Sequence, residues 1–131
     1  MKRAKFKKKY RKLAGKIDGK FTMEYIRRML FEMGFKPMKT DGYRDVYARN
    51  GVVIKKQGTV LGHISDIPKK YRVPTIYFST CRGRTWMIQM KAKRKNLSKA
   101  WTILDKKCPK WEDGHEGNCG WLNGKPVIFD W

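Results

Sequence analysis

The chain is 131 residues long with a net charge of +21, 40% hydrophobic residues and three cysteines, which suits one small domain able to bury a core and in need of an anionic partner. Nucleic acid, a ribonucleoprotein, an acidic protein and a polyphosphate ligand all fit that charge. No apolar run reaches the ~18–20 residues that span a bilayer, no apolar signal-peptide core follows the charged start, and Cys81, Cys108 and Cys119 give no even-numbered disulfide framework, so a reducing, cytoplasmic setting is expected.

Residues 1–20 read as a basic N-terminal arm, and 21–131 as one domain. The arm carries Lys5, Lys8, Lys9, Arg11 and Lys12 among other cations, against Asp18 alone. Phe6, Tyr10, Leu13 and Ile17 recur at near-helical spacing, so part of it is expected to form a basic amphipathic helix. Aromatics among cations suit nucleic acid, because phosphates meet the charge and bases stack on rings. A solvated, disordered tail fits the same like-charge block equally well, and a membrane surface fits it less well because the apolar face is thin.

Phe21 to Met33 predicts a helix capped by Thr22, with Met23, Ile26, Leu30 and Met33 on one face and Gly34 as the stop. Glu24 and Glu32 are expected on its surface. Asp41-Gly42 marks a turn, Tyr43 to Arg49 a strand, and Asn50-Gly51 a hairpin turn. Val52-Val-Ile then forms a β-branched strand that Lys55 closes. Val60 to Ile67 fits either a short helix or a loop and strand, with His63 read as structural, and Pro68 ends it. Val73 to Thr80 and Arg84 to Ala92 predict a second hairpin turning at Arg82-Gly83, with Trp86, Ile88 and Met90 on one face. Asn96 or Ser98 is expected to cap a helix running to about Lys106, with Leu97, Ala100, Trp101 and Leu104 inward.

The C-terminal stretch carries the most chemistry: Asp113-Gly-His115-Glu-Gly-Asn118, a turn over Gly120 to Gly124, and the apolar strand Pro126-Val-Ile-Phe129 leading to Asp130-Trp131. Phosphoryl transfer uses an Asp to orient the attacking hydroxyl, and an Asn and a second Asp to hold Mg²⁺. The bland reading of the same residues is a Gly-rich hairpin with solvated acids.

Asp-x-His-x-Gly-Asn, an apolar strand and Phe-Asp-Trp resemble the catalytic and metal-binding loops of the protein-kinase-like fold, in the form found in aminoglycoside phosphotransferases and small phage and bacterial kinase-like proteins. Asp113 and Asn118 have the spacing of the kinase catalytic loop. The resemblance implies catalytic Asp113, and Asn118 and Asp130 as magnesium ligands. Val52-Val-Ile-Lys55 resembles the Val-Ala-Ile-Lys strand, whose Lys contacts the nucleotide phosphates. It implies Gly42 in the loop over those phosphates, and a hinge around Gln89, Met90 and Ala92 that receives adenine. The fold class implied is α+β: an antiparallel β N-lobe with an N-terminal helix, and a truncated C-lobe with one main helix and the two loops. ATP and Mg²⁺ are the implied cofactors. The implied function is phosphotransfer to an unidentified acceptor, with a protein favoured. The alternative is a catalytically weak or inactive kinase-like scaffold that binds nucleic acid or a ribonucleoprotein through its basic surface.

Several positions depart from the pattern. Trp111 stands where a His usually precedes the catalytic Asp by two, and Glu112 where Arg or Gly is usual. A single Gly42 replaces a Gly-rich loop. No Glu lies between Lys55 and Glu112 to pair with the strand Lys, which leaves Asp66, Glu24 or Glu32. One residue follows Asp130, so either the acceptor surface is expected from a partner or a second copy, or the chain is expected to be a nucleotide-binding pseudokinase. Cys108, His115 and Cys119, with Cys81 or His63, form a competing zinc set, although the spacing matches no paired Cys-x-x-Cys knuckle.

Overall fold

The computed structural model describes residues 2–38, 45–57, 67–111 and 116–129. Expectations at Gly42, His63, Asp66, Glu112, Asp113, His115 and Asp130 lie outside these residues. The chain forms an α+β protein of two compact units: Met1–Thr59 with Pro74–Met90, and Val60–Val73 with Lys91–Trp131.

The first unit is a five-stranded antiparallel sheet with two helices. Its strands are β1 (Lys36–Pro37), β2 (Val46–Arg49), β3 (Val52–Lys56), β4 (Thr75–Ser79) and β5 (Thr85–Met90), in spatial order β1-β2-β3-β5-β4. Asn50 and Gly51 have φ of 44° and 77°. Both central residues of the β2–β3 hairpin are thus left-handed, the conformation whose twist matches the flanking strands. Strand alternation sorts the side chains. Tyr47, Val52, Ile54, Ile76, Phe78, Trp86, Ile88 and Met90 share one face by register. Phe78 stacks on Trp86 with ring centroids 6.1 Å apart, and Trp86 and Ile88 are fully buried.

The N-terminal segment is helix α1 (Arg3–Ile17), which packs on β4 and buries Phe6, Tyr10, Ala14 and Ile17. These positions fall every three to four residues and make the stripe that fixes a helix to a core. At its end, Gly19 N–H donates to Ser79 O (2.8 Å), and Ser79 N–H donates to Asp18 Oδ1 (2.8 Å). The dense lysines therefore sit on a docked helix. Helix α2 (Met23–Glu32) starts where Thr22 Oγ1 accepts from Tyr25 N–H (3.2 Å) and buries Ile26 and Leu30. Arg27 grips Asp45 with two hydrogen bonds, of 3.1 and 2.9 Å, which fastens α2 to the residue before β2.

The second unit is built on α3 (Leu97–Lys107) and a hairpin of β6 (Cys119–Leu122) and β7 (Lys125–Ile128). Ile67, Ala100, Leu104, Cys108, Trp111, Cys119 and Ile128 form its core. Burying each large apolar side chain contributes roughly 1.5–3 kcal/mol. Two expectations change here. The turn lies at Asn123-Gly124, with φ of 52° and 76°, and Gly120 is inside β6. A Cβ on Gly120 would meet Lys93 O at 2.6 Å, so that position needs the missing side chain for close backbone approach. Neither Asn96 nor Ser98 caps α3 through its side chain: Asn96 precedes the helix in the left-handed region with no side-chain cap bond, and Ser98 Oγ donates to Glu116 Oε1 at 2.8 Å. Among the described residues no helix is long and apolar enough to cross a membrane.

Candidate nucleotide and metal site

In the first unit, Lys55 lies on β3, the third strand, paired with Val46 of β2 on one side and Met87 of β5 on the other. Alternation puts it on the sheet face opposite Trp86 and Ile88. It is 6% exposed, an unusual position for a lysine, whose charge is seldom taken so far from water without a partner. Gln89 occupies the same face one cross-strand row away, 2% exposed, and its Nε2 donates to Thr75 Oγ1 at 3.2 Å. Lys55 and Gln89 are thus two polar groups brought together on one buried face.

Met90 does not share that face. Its register partner is Val52, its side chain is buried with the apolar set, and its N–H donates to Pro74 O at 3.2 Å. It therefore offers neither a side chain on the Lys55 face nor a free amide at the expected hinge.

In the second unit, Asn118 ends a 3₁₀ turn (Glu116–Asn118) directly before β6 and is 6% exposed. The hairpin register pairs Cys119 with Ile128, and one step further Phe129 N–H donates to Asn118 O at 3.1 Å. Asn118 is thereby tied to the residue that precedes Asp130 in the chain. The Arg94 guanidinium lies over the Phe129 ring, 5.1 Å from its centroid.

The described residues nearest Asp113 in the chain both have partners in the second unit. Trp111 before it is buried, and its N–H donates to Cys108 O at 3.0 Å. Glu116 after it is held by Ser98 of α3. The Trp at the position of the expected His is thus a core residue of the second unit. Sequence reasoning missed Ser98, Glu116 and Arg94 as supports, because interactions between residues 18 to 22 positions apart leave no local pattern.

Of the expected zinc set, Cys108 and Cys119 are buried, Cys81 is exposed, and His63 and His115 lie outside the described residues. Burial pushes the Cys108 and Cys119 thiols up from their ordinary range, and at Cys119 the nearby Arg94 charge offsets part of the effect. Among the described residues no group of three or more His, Cys, Asp or Glu side chains is placed to hold a metal ion. Magnesium asks for less from the protein. One or two carboxylates with amide oxygen, water and phosphate oxygens satisfy it, and Asn118 with Asp130 has that chemistry.

Lys5, Lys8, Lys9, Arg11 and Lys12 are all exposed on α1. Comparison with known proteins finds no matching family model, no matching curated protein and no matching solved structure.

Proposed function

We propose that this chain is a minimal kinase-like phosphotransferase using Mg·ATP. In this reading Lys55 holds the nucleotide phosphates, Asp113 orients the acceptor hydroxyl, and Asn118 and Asp130 hold the magnesium ion. The observation that carries it is the register of the β6–β7 hairpin, in which the backbone of Asn118 bonds to Phe129 next to Asp130. A hairpin that closes on those two neighbours suits two ligands of one cation. Two further features support the reading. A buried lysine lies on the third strand of an antiparallel sheet, the context in which a Val-Ala-Ile-Lys match gains meaning. The described residues on either side of Asp113 are held within the second unit, Trp111 by Cys108 and Glu116 by Ser98 of α3.

Mg²⁺, which Asn118 and Asp130 would hold, would supply positive charge against the charge that develops on the phosphates. The chain's own part is positioning. The Lys55 ammonium holds phosphate oxygens as a point charge, and the Asn118 side chain is buried on a backbone that bonds to Phe129. The carboxylate of Asp113 takes up the acceptor's proton. Such transfer rests on placement and electrostatics, so a small scaffold can suffice.

The test is incubation with γ-labelled ATP, Mg²⁺ and a lysate as acceptor, beside Asp113→Ala and Asp130→Ala. Label transfer by the native chain that disappears in both variants is the expected result. No transfer, with unchanged behaviour of the variants, overturns the reading.

A further inference from the structure

The proposed chemistry makes no use of a dense run of positive charge among the described residues, the exposed face of α1. Between Arg3 and Ile17 there are eight cationic side chains and no acid, and the residues flanking the helix add Lys2 and Lys20. At about 100° per residue, the buried stripe of Phe6, Tyr10, Ala14 and Ile17 occupies one side. Everything opposite is basic or small. Lys7 and Arg11 run along one flank of the exposed half, and Lys5, Lys9, Lys12 and Lys16 along the other, all exposed. Ala4, Lys8 and Gly15 form the crest between them. Where α1 ends, the bonds from Gly19 and Asp18 to Ser79 bring in the β4–β5 turn with exposed Arg82 and Arg84.

From this arrangement we infer that α1 is a DNA-binding helix that lies along the major groove of a B-form duplex, its two basic flanks gripping the phosphates of the two strands. Three points favour this partner. A helix of 15 residues is about 22 Å long and ~10–12 Å across, and the B-form major groove is ~12 Å wide with phosphates on both rims. Cations on two flanks, with Ala4, Lys8 and Gly15 between them, fit such a channel, whereas the deep, narrow major groove of A-form RNA does not admit a helix. The apolar stripe is used up in the protein core, so the helix has nothing to insert into a lipid surface. The crest carries no Asn, Gln or Glu, and Lys8 is its one side chain able to reach a base edge, so recognition is mainly of the backbone and only weakly dependent on sequence.

The test is fluorescence anisotropy with a labelled 20-base-pair DNA duplex at several salt concentrations. Two variants remove one flank each: Lys7→Gln with Arg11→Gln, and Lys5→Gln with Lys9→Gln, Lys12→Gln and Lys16→Gln. A control replaces exposed lysines of the second unit, Lys106→Gln with Lys125→Gln. All changes are at exposed positions, and far-UV circular dichroism checks that α1 remains helical. The expected result is a log–log salt dependence that flattens by roughly 0.9 for each phosphate that the variant no longer neutralises, with binding about tenfold weaker or more for each flank variant at low salt. The control stays near the native value, and a minor-groove-binding polyamide fails to displace the protein. Native affinity and salt slope in both flank variants overturn the proposal. So does displacement by the polyamide, and so does tighter binding to a single-stranded RNA 20-mer or to phosphatidylserine vesicles than to the duplex.

Discussion

Gly120→Ala puts the packing around the hairpin to a numerical test. The new Cβ would lie 2.6 Å from Lys93 O and 3.0 Å from the Ala92 Cβ. The closer neighbour is backbone and cannot swing aside as a side chain would, so β6 must move away from residues 92 and 93. Overpacking of this kind costs about 1–3 kcal/mol. The movement also stretches two bonds, Lys93 N–H to Trp121 O (2.7 Å) and Trp121 N–H to Lys93 O (3.0 Å), each contributing about 0.5–1.5 kcal/mol. With the stretched bonds weakened and not lost, the combined loss is about 2–4 kcal/mol. Urea unfolding reads it as a midpoint lowered by about 1–2 M at an ordinary slope for a small protein. Gly15→Ala is the opposing control: nothing lies within 4 Å of its added Cβ in exposed helix, and replacing a helical glycine there should stabilise by about 0.5–1 kcal/mol. A Gly120→Ala protein as stable as the native chain would refute the close approach of β6 to Lys93.

Phe6→Ala should cost about 3–5 kcal/mol by emptying a fully buried ring site; a loss below about 1 kcal/mol in the same urea assay means that α1 is not docked. Asp45→Asn removes the charge from a half-exposed two-bond pair with Arg27, so a modest loss of about 1 kcal/mol that shrinks in high salt is expected. Thiol labelling should modify exposed Cys81 rapidly and reach buried Cys108 and Cys119 only on unfolding, which time-resolved mass spectrometry would follow. Burial raises both thiols and the Tyr10 phenol in the folded chain, so the unfolded chain releases those protons first. Their contribution to stability is full below about pH 9 and is lost as pH rises further; a melting temperature that climbs between about pH 9 and about pH 10.5 would contradict this.

Local signals in the sequence fared best where one residue decides the geometry. Thr22 marks the start of α2 and Asn50-Gly51 the β2–β3 turn, because capping and left-handed turns are read within four residues. The same logic favoured Asn123-Gly124 over Gly120, but a cluster of glycines hid which one turned and which one packed. The periodicity of Phe6, Tyr10 and Ile17 was visible, yet the number of lysines around them suggested a free arm, and only the sheet shows that the stripe has something to bury against. Strand alternation explains the split at positions 89 and 90. Adjacent residues face opposite sides, so Gln89 joins Lys55 and Met90 joins the core. The supports of the Asn118 turn were illegible, since Ser98, Arg94 and Glu116 meet only after α3 and the hairpin have packed.

Binding of Mg·ATP, read by thermal unfolding of the native chain beside Lys55→Met and Asp130→Ala, is the decisive measurement for the proposed phosphotransfer. Saturating nucleotide at about 100 times the dissociation constant stabilises a binding protein by about 2.7 kcal/mol. The expected result is a magnesium-dependent rise in melting temperature for the native chain, and a rise reduced or abolished in both variants. A native chain whose melting temperature is unmoved by millimolar Mg·ATP, or an equal response in all three proteins, contradicts it.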